Sequence, residues 1–210
     1  MWYFYQLLCI ITIIVTAHIG DNLLENVRTP VYKAFADNIT HALIGFLGWI
    51  IVSLNIKYTN TLYLLVDSIL CLLIASLIDM DHFCAAKSIS LQDATSLNHR
   101  PFLHLSTLPL TIILVLLGWA HSTNNVYMEK IALIMFVAFG THHTRDAYRR
   151  GYWLAPFGST PPLSYFCYLF ITILIPYGVV LWCKYFKLSR RLTTITMTDY
   201  SDDVQYLVDV

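Results

Sequence analysis

Six long runs of apolar residues, separated by short polar stretches, dominate this chain. Each run is close to the length of about 20 residues that a transmembrane helix needs. Because lipid offers the backbone no hydrogen-bond partners, such runs predict helices and not open strands. The predicted helices cover Trp2–Ile19, Asn38–Ile56, Leu62–Met80, Phe102–Ala120, Val126–Thr144 and Leu163–Phe186. The pattern therefore predicts an all-α polytopic membrane protein, a bundle of about six transmembrane helices.

The composition supports this class. The chain has 210 residues, of which 57% are hydrophobic and 12% charged, whereas soluble domains carry about 25% charged residues. The mean hydropathy is +0.61. The net charge is zero, so nothing favours a nucleic-acid partner, and the lipid bilayer is the expected surrounding. The five cysteines are scattered, which indicates small core residues and not a disulfide framework.

The two ends of the chain differ in character. Residues 1–190 are predicted to form a single transmembrane helical domain, and the polar residues 191–210 a flexible tail. Basic residues are shared almost evenly between the two membrane faces, but a compact cluster lies in Lys184–Arg191. This cluster favours cytosolic termini. The opposite face would then lie in a lumen or outside the cell; which membrane holds the protein is not fixed, and an endomembrane such as the endoplasmic reticulum is the expectation.

Alternating connections bring the polar ends of several helices to one side. With six spans both termini share one face, and four groups of aspartate and histidine then converge on the other. These groups are Asp37-Asn-Ile-Thr-His41, Asp79-Met-Asp81-His82, His99-Arg-Pro-Phe-Leu-His104 and His142-His-Thr-Arg-Asp146. Ionisable residues at membrane segments are costly and indicate function. The convergence depends on the helix count, because an error of one would separate the groups.

The spacing within these groups suits a metal. Asp37 and His41 are four residues apart, as are His142 and Asp146, which places each pair on one helix face. Carboxylates at the end of the third helix meet the negative end of its dipole, which is unfavourable without a cation. Imidazole and carboxylate together suit zinc, manganese or iron. Each pair alone is also compatible with a helix cap or a core hydrogen bond.

These patterns give a set of candidate site residues. The predicted metal ligands are Asp37, His41, Asp79, Asp81, His99, His104, His142 and Asp146. His18 and Asp21 are secondary candidates. Asp79, Asp81, His142 and Asp146 are the candidate catalytic residues. Arg100, Arg145 and Arg149 are predicted to hold an anionic substrate, although a plain juxtamembrane basic cluster fits them equally well.

The motifs also resemble known families. Thr40-His41 with Gly45, Asp79-Met-Asp81, His99-Arg100-Pro-Phe-Leu-His104 and His142-x-x-x-Asp146 with Gly151 and Pro156 follow the motif order of the bacterial YdjM-like inner-membrane proteins. That family is described as metal-dependent hydrolases. It usually has serine directly after the second histidine, whereas this chain has Leu105 and then Ser106.

A second resemblance is closer and covers about residues 21–175. The segments Ile78-Asp-Met-Asp-His-Phe83, Arg100-Pro-Phe-Leu-His104, and His142-His-Thr-Arg-Asp146 through Pro156-Phe-Gly158 are similar to the eukaryotic transmembrane protein 267 family. This resemblance implies a multi-pass membrane protein without fixing an activity.

Three functions remain open on the sequence. The YdjM-like resemblance implies a metal-dependent hydrolase, and the membrane location suggests a phosphate- or ester-bearing, lipid-like substrate. The cofactor would be a divalent metal, zinc or manganese. A non-catalytic scaffold with a structural metal or polar cluster is the main alternative. A metal-ion transporter fits less well, because its polar groups should lie near the bilayer midplane.

Overall fold

The computed structural model describes residues 2–56 and 61–188. Its α-helices are α1 (Trp2–Asn26), α2 (Pro30–Ile56), α3 (Thr61–Leu77), α4 (Asp81–Ala86), α5 (Leu91–Thr95), α6 (Thr107–Ser122), α7 (Val126–Arg150) and α8 (Tyr165–Tyr185). Short 3₁₀ turns at Ile78–Met80 and Phe102–His104 precede α4 and α6. The described ranges contain no strand, so the predicted all-α fold is confirmed. The predicted tail, 191–210, lies outside them.

Within the described residues, four helical segments are long and apolar enough to cross a membrane. They are Tyr3–Asn26, Pro30–Ile56, Thr61–Ala86 and Tyr165–Tyr185. The apolar helix α6 is shorter, at 16 residues. Helix α7 has 25 residues but carries polar side chains at both ends. It packs against α2, α3, α6 and α8, so neighbouring helices shield those polar groups from lipid.

The predicted fourth helix begins later than expected. The sequence predicted a helix from Phe102, whereas α6 begins at Thr107 and residues 102–104 form a 3₁₀ turn. The backbone of Leu103 explains the difference, because its N–H donates to Asp81 and its carbonyl accepts from His143. These lateral bonds replace the helical ones and fix the position of His104.

Small residues bring α2 close to α3 and α7. A Cβ atom added at Gly45 would lie 2.9 Å from the Cβ of Ala75, and one added at Gly48 would lie 3.0 Å from Val137 Cγ1. Close approach at small residues is a common way for membrane helices to pack. Gly45 is one turn from His41, and Ala75 is one turn from Asp79. The crossing therefore places the polar ends of these helices side by side.

Candidate metal centre

Four donor atoms from three parts of the chain face one another at one end of the bundle. Asp79 Oδ1 lies 3.3 Å from His104 Nε2 and 3.5 Å from His142 Nε2. Asp146 Oδ2 lies 3.4 Å and 3.6 Å from the same two nitrogens. The two nitrogens are 3.4 Å apart. The structure thus brings together four of the predicted ligands.

These separations can be compared with a metal site. Nitrogen and oxygen ligands lie about 2.0–2.1 Å from zinc, so neighbouring donors of a tetrahedral site are about 3.3–3.4 Å apart. Five of the six distances among the four donor atoms run from 3.3 to 3.6 Å. These five separations match those between neighbouring ligands of one metal ion.

Both imidazoles are oriented by their other ring nitrogen. His142 Nδ1 lies 2.9 Å from the carbonyl oxygen of Ala75. His104 Nδ1 lies 3.2 and 3.3 Å from the two carboxylate oxygens of Asp81. When Nδ1–H donates to these acceptors, Nε2 presents a lone pair to the centre. This is the arrangement that metal-binding histidines usually show.

The two carboxylates are also fixed from behind. Asn38 Nδ2 donates to Asp79 Oδ2 at 3.3 Å, and Asn38 is itself held by Ser76 through bonds of 2.6 and 2.7 Å. Arg149 Nη2 donates to Asp146 Oδ1 at 3.1 Å. Each carboxylate therefore bonds the protein through one oxygen and presents the other to the centre.

The charge of the centre favours a cation. Burial lowers the pKa of His104, but hydrogen bonds to Asp146, Asp79 and Asp81 outweigh burial and raise it to about 11. An environment that stabilises a positive charge on a largely buried imidazole attracts cations in general.

Asp37 and His41 form a second layer beside these donors. The His41 ring stacks on His142 with centroids 3.8 Å apart. Its Nε2 lies 3.6 Å from oxygens of both Asp37 and Asp146. His41 also belongs to a group with Asp79 and His142 whose donor atoms lie within 4.8 Å of one another. Asp37, in contrast, pairs with Arg145 and Arg149, so its carboxylate faces the guanidinium groups.

Two of the arginines predicted to bind substrate bond to other groups of the protein. Arg145 is fully buried; it pairs with Asp21 at 3.0 Å and with Asp37, and bonds His41 Nε2 at 3.1 Å. Arg100 donates to the carbonyl oxygens of Arg150 and Gly151 at 2.8 and 3.1 Å, which caps the end of α7. Their donors are directed into the protein because α7 extends beyond the predicted Thr144.

Arg149 and Arg150 lie nearer the surface. The Arg149 side chain is 32% exposed and pairs with Asp37 and Asp146. Arg150 lines a small cavity together with His82, Arg100, His104, Asp146 and Trp153, among others. The cavity, of about 20 Å³, has room for roughly one water molecule or ion. The cavity therefore adjoins two of the four donors, His104 and Asp146.

Three further predicted residues are not among the four donors. His99 is exposed in the loop before Pro101, and His18 is exposed and contacts Asn22 at 3.0 Å. Neither belongs to a metal-capable group among the described residues. Asp81 is buried behind His104, where it also accepts from Leu103 N–H at 2.8 Å.

Residue-type patterns alone did not identify several supporting side chains. Asn38 and Ser76 are ordinary helix residues until α2 and α3 are placed together. His143 adjoins His142 but is saturated, with Nδ1 3.0 Å from Ser106 Oγ and Nε2 2.9 Å from the Leu103 carbonyl. It anchors the 3₁₀ turn that carries His104. The His82 ring packs edge-on against His104, with centroids 4.6 Å apart.

The fold and site together define a polytopic α-helical membrane protein with a cluster of histidine and aspartate at one end of its bundle. The chain belongs to the transmembrane protein 267 family. It is 40% identical to the Danio rerio member over 147 aligned residues, and the alignment covers 69% of this chain and 64% of that protein. It is 36% identical to the Bos taurus member over 165 aligned residues, and that alignment covers 76% of this chain and 73% of that protein.

The Mus musculus member is 37% identical over 146 residues, 69% of this chain and 66% of that protein. The chain thus spans just under two thirds of the length of the Danio rerio relative. No family model matches the chain, so the likeness to the YdjM-like proteins remains a prediction. No solved structure matches it.

Proposed function

We propose that this protein is a metal-dependent hydrolase that acts at the membrane surface on a phosphate- or ester-bearing, lipid-like substrate. The observation that carries the proposal is the set of donors from Asp79, His104, His142 and Asp146, among which five separations run from 3.3 to 3.6 Å. Four correctly spaced donors, each oriented by a second bond, are difficult to explain as a chance cluster of polar groups.

The donor set indicates the metal. Mixed imidazole and carboxylate ligands favour zinc or manganese over calcium, which takes oxygen ligands only. A metal bound here would supply a water of lowered pKa and polarise a phosphoryl or carbonyl oxygen.

The protein's own residues would position the substrate. Arg149 and Arg150 lie on the exposed side of the centre, and guanidinium groups bind phosphate and carboxylate well. A cavity of about 20 Å³ adjoins His104 and Asp146 on the side of Arg150. A headgroup oxygen would enter there, while the acyl chains of a lipid remained in the bilayer.

Metal content followed by activity tests this proposal. The purified chain in detergent is expected to hold a divalent metal, measured by elemental mass spectrometry, and to hydrolyse at least one member of a panel of anionic and zwitterionic phospholipids. His142→Asn should lose both metal and activity. His99→Asn is the matched control, because that histidine is exposed. A metal-loaded protein inactive on ester and phosphate lipids would refute the hydrolase.

One observation favours a structural metal as the second candidate. Four protein donors face one another here, and structural zinc sites usually have four protein ligands. Such a metal would join α3, the turn before α6, and α7. Chelation would then lower the melting temperature, and no variant would affect any hydrolysis.

The middle of α7 argues against transport. On this helix Glu129 and Lys130 are polar at one end, and Thr141 begins the polar segment at the other. Between them the buried residues are all apolar: Ala132, Leu133, Ile134, Val137 and Ala138. This central helix therefore has no buried polar side chain near the bilayer midplane, where a transported ion would need one to bind.

A further inference from the structure

We propose that the substrate group at this centre is a phosphate monoester, whose terminal oxygens Arg100 and Arg150 bind at the small cavity beside His104 and Asp146. The inference rests on the proposed function and narrows it, because a carboxylic ester carries no charge for these arginines to bind. The cavity of about 20 Å³ is lined by both arginines and by two of the four donors, His104 and Asp146. A group bound there would adjoin the residues that would hold the metal.

The end of α7 holds Arg100 in place at the cavity. Arg100 Nη1 donates to the carbonyl oxygen of Gly151 at 3.1 Å, and Nη2 donates to that of Arg150 at 2.8 Å. A guanidinium group has five N–H donors, so these two bonds fix its position and leave further donors for a ligand. Both acceptors are neutral, so they do not neutralise the positive charge of Arg100.

Arg150 differs from its neighbour Arg149 in its partners. Arg149 pairs with Asp37 at 3.0 Å and with Asp146 at 3.1 Å. The Arg150 side chain is exposed and forms no ion pair with any residue that the structure describes. Burial lowers the pKa of Arg100, and the nearby charge of Arg150 lowers it further. Two like charges at one cavity repel each other, and an anion bound between them would reduce that repulsion.

Charge and size both favour a terminal phosphate. A phosphate monoester carries a charge of about −1.5 to −2 at neutral pH, which matches two guanidinium groups, whereas a phosphodiester carries a single negative charge. Asp146 also lines the cavity, but its carboxylate pairs with Arg149 at 3.1 Å. The cavity has room for roughly one water-sized group. One of the three unesterified oxygens of a monoester would occupy it, and the others would bond Arg150 on its exposed side.

Direct binding of inorganic phosphate tests the inference without depending on turnover. The full-length protein, purified in detergent without chelator, is titrated with phosphate by calorimetry. Loss of a charge-assisted contact in Arg150→Gln should weaken binding about 10–100-fold, with unchanged metal content. Arg150→Lys keeps the charge but loses the planar fork, so its affinity should fall between the two. Arg28→Gln is the matched control and should bind as wild type does, because Arg28 is exposed between α1 and α2 and does not line the cavity.

Mixed micelles distinguish a lipid headgroup from a soluble phosphate. Phosphatidic acid has a terminal phosphate, phosphatidylcholine a phosphodiester, and diacylglycerol only carboxylic esters. Phosphatidic acid should bind at least about tenfold more tightly than the other two lipids, and Arg150→Gln should lose this preference. Phosphate binding that depends on Arg150 without binding of phosphatidic acid would support the same site and assign it to a soluble monoester.

Two results would overturn the inference and leave the proposed function intact. One is a metal-loaded wild type that hydrolyses a carboxylic ester but does not bind phosphate. The other is Arg150→Gln protein that binds phosphate as tightly as wild type. A protein that holds no metal but binds phosphate through Arg150 would instead refute the hydrolase and retain the anion site.

Discussion

Replacement of Arg145 by leucine should strongly destabilise the bundle. Arg145 is fully buried and pairs with Asp21 at 3.0 Å. Asp37 also pairs with Arg145, but in the variant it would keep Arg149 at 3.0 Å. Asp21, which is 9% exposed, is therefore the carboxylate that loses its charged partner. Removing one partner of a buried ion pair costs about 3–5 kcal/mol. For a chain of this size, that corresponds to a fall in melting temperature of about 6–20 °C.

The assay is thermal unfolding in detergent, followed by circular dichroism, with the double variant Arg145→Leu/Asp21→Leu as the decisive comparison. Replacing a whole buried ion pair by apolar residues is often neutral. The double variant should therefore recover at least half of the lost stability. The reasoning is refuted if Arg145→Leu melts within about 2 °C of wild type, because that result is expected of an arginine that faces solvent or substrate. It is also refuted if adding Asp21→Leu lowers the melting temperature further.

Three further results are expected. Asn38→Ala, which frees the carboxylate of Asp79 from its supporting amide, should weaken metal binding about 10–100-fold by calorimetry, and an unchanged affinity would contradict the supporting role. Gly45→Val should lower both the melting temperature and the metal affinity, because even a Cβ atom at this position would lie 2.9 Å from the Cβ atom of Ala75. A wild-type melting curve would contradict the close crossing of α2 and α3. Metal affinity should fall as the pH is lowered from 8 to 5, because imidazole and carboxylate must lose protons to bind a cation, and a pH-independent affinity measured in competition with a chelator would contradict the ligand set.

The convergence of distant motifs could be predicted from the sequence. Apolar runs of transmembrane length fix how the chain alternates, and alternation alone puts Asp79, His104 and His142 at the same end. The four-residue spacing of His142 and Asp146 also predicts their shared helix face. The structure agrees on each of these residues.

The direction of individual side chains could not be predicted in this way. Arg145 and Arg149 are both near the ligands in sequence, but only the three-dimensional structure shows that Arg145 is buried against Asp21 of α1. Arg100 caps α7 only because that helix continues to Arg150. His99 and His104 have equal chemistry, and the 3₁₀ turn held by His143 decides which of them reaches the centre.

Elemental analysis of the purified protein tests the central claim most directly. Wild type, isolated without chelator, should contain at least one equivalent of a divalent transition metal per chain. The double variant Asp79→Ala/His142→Ala should contain none, while still inserting into the membrane with the same helix content by circular dichroism. A wild-type protein that binds no zinc or manganese when titrated, or a double variant that keeps its full metal content, would contradict the metal centre and with it the proposed hydrolase.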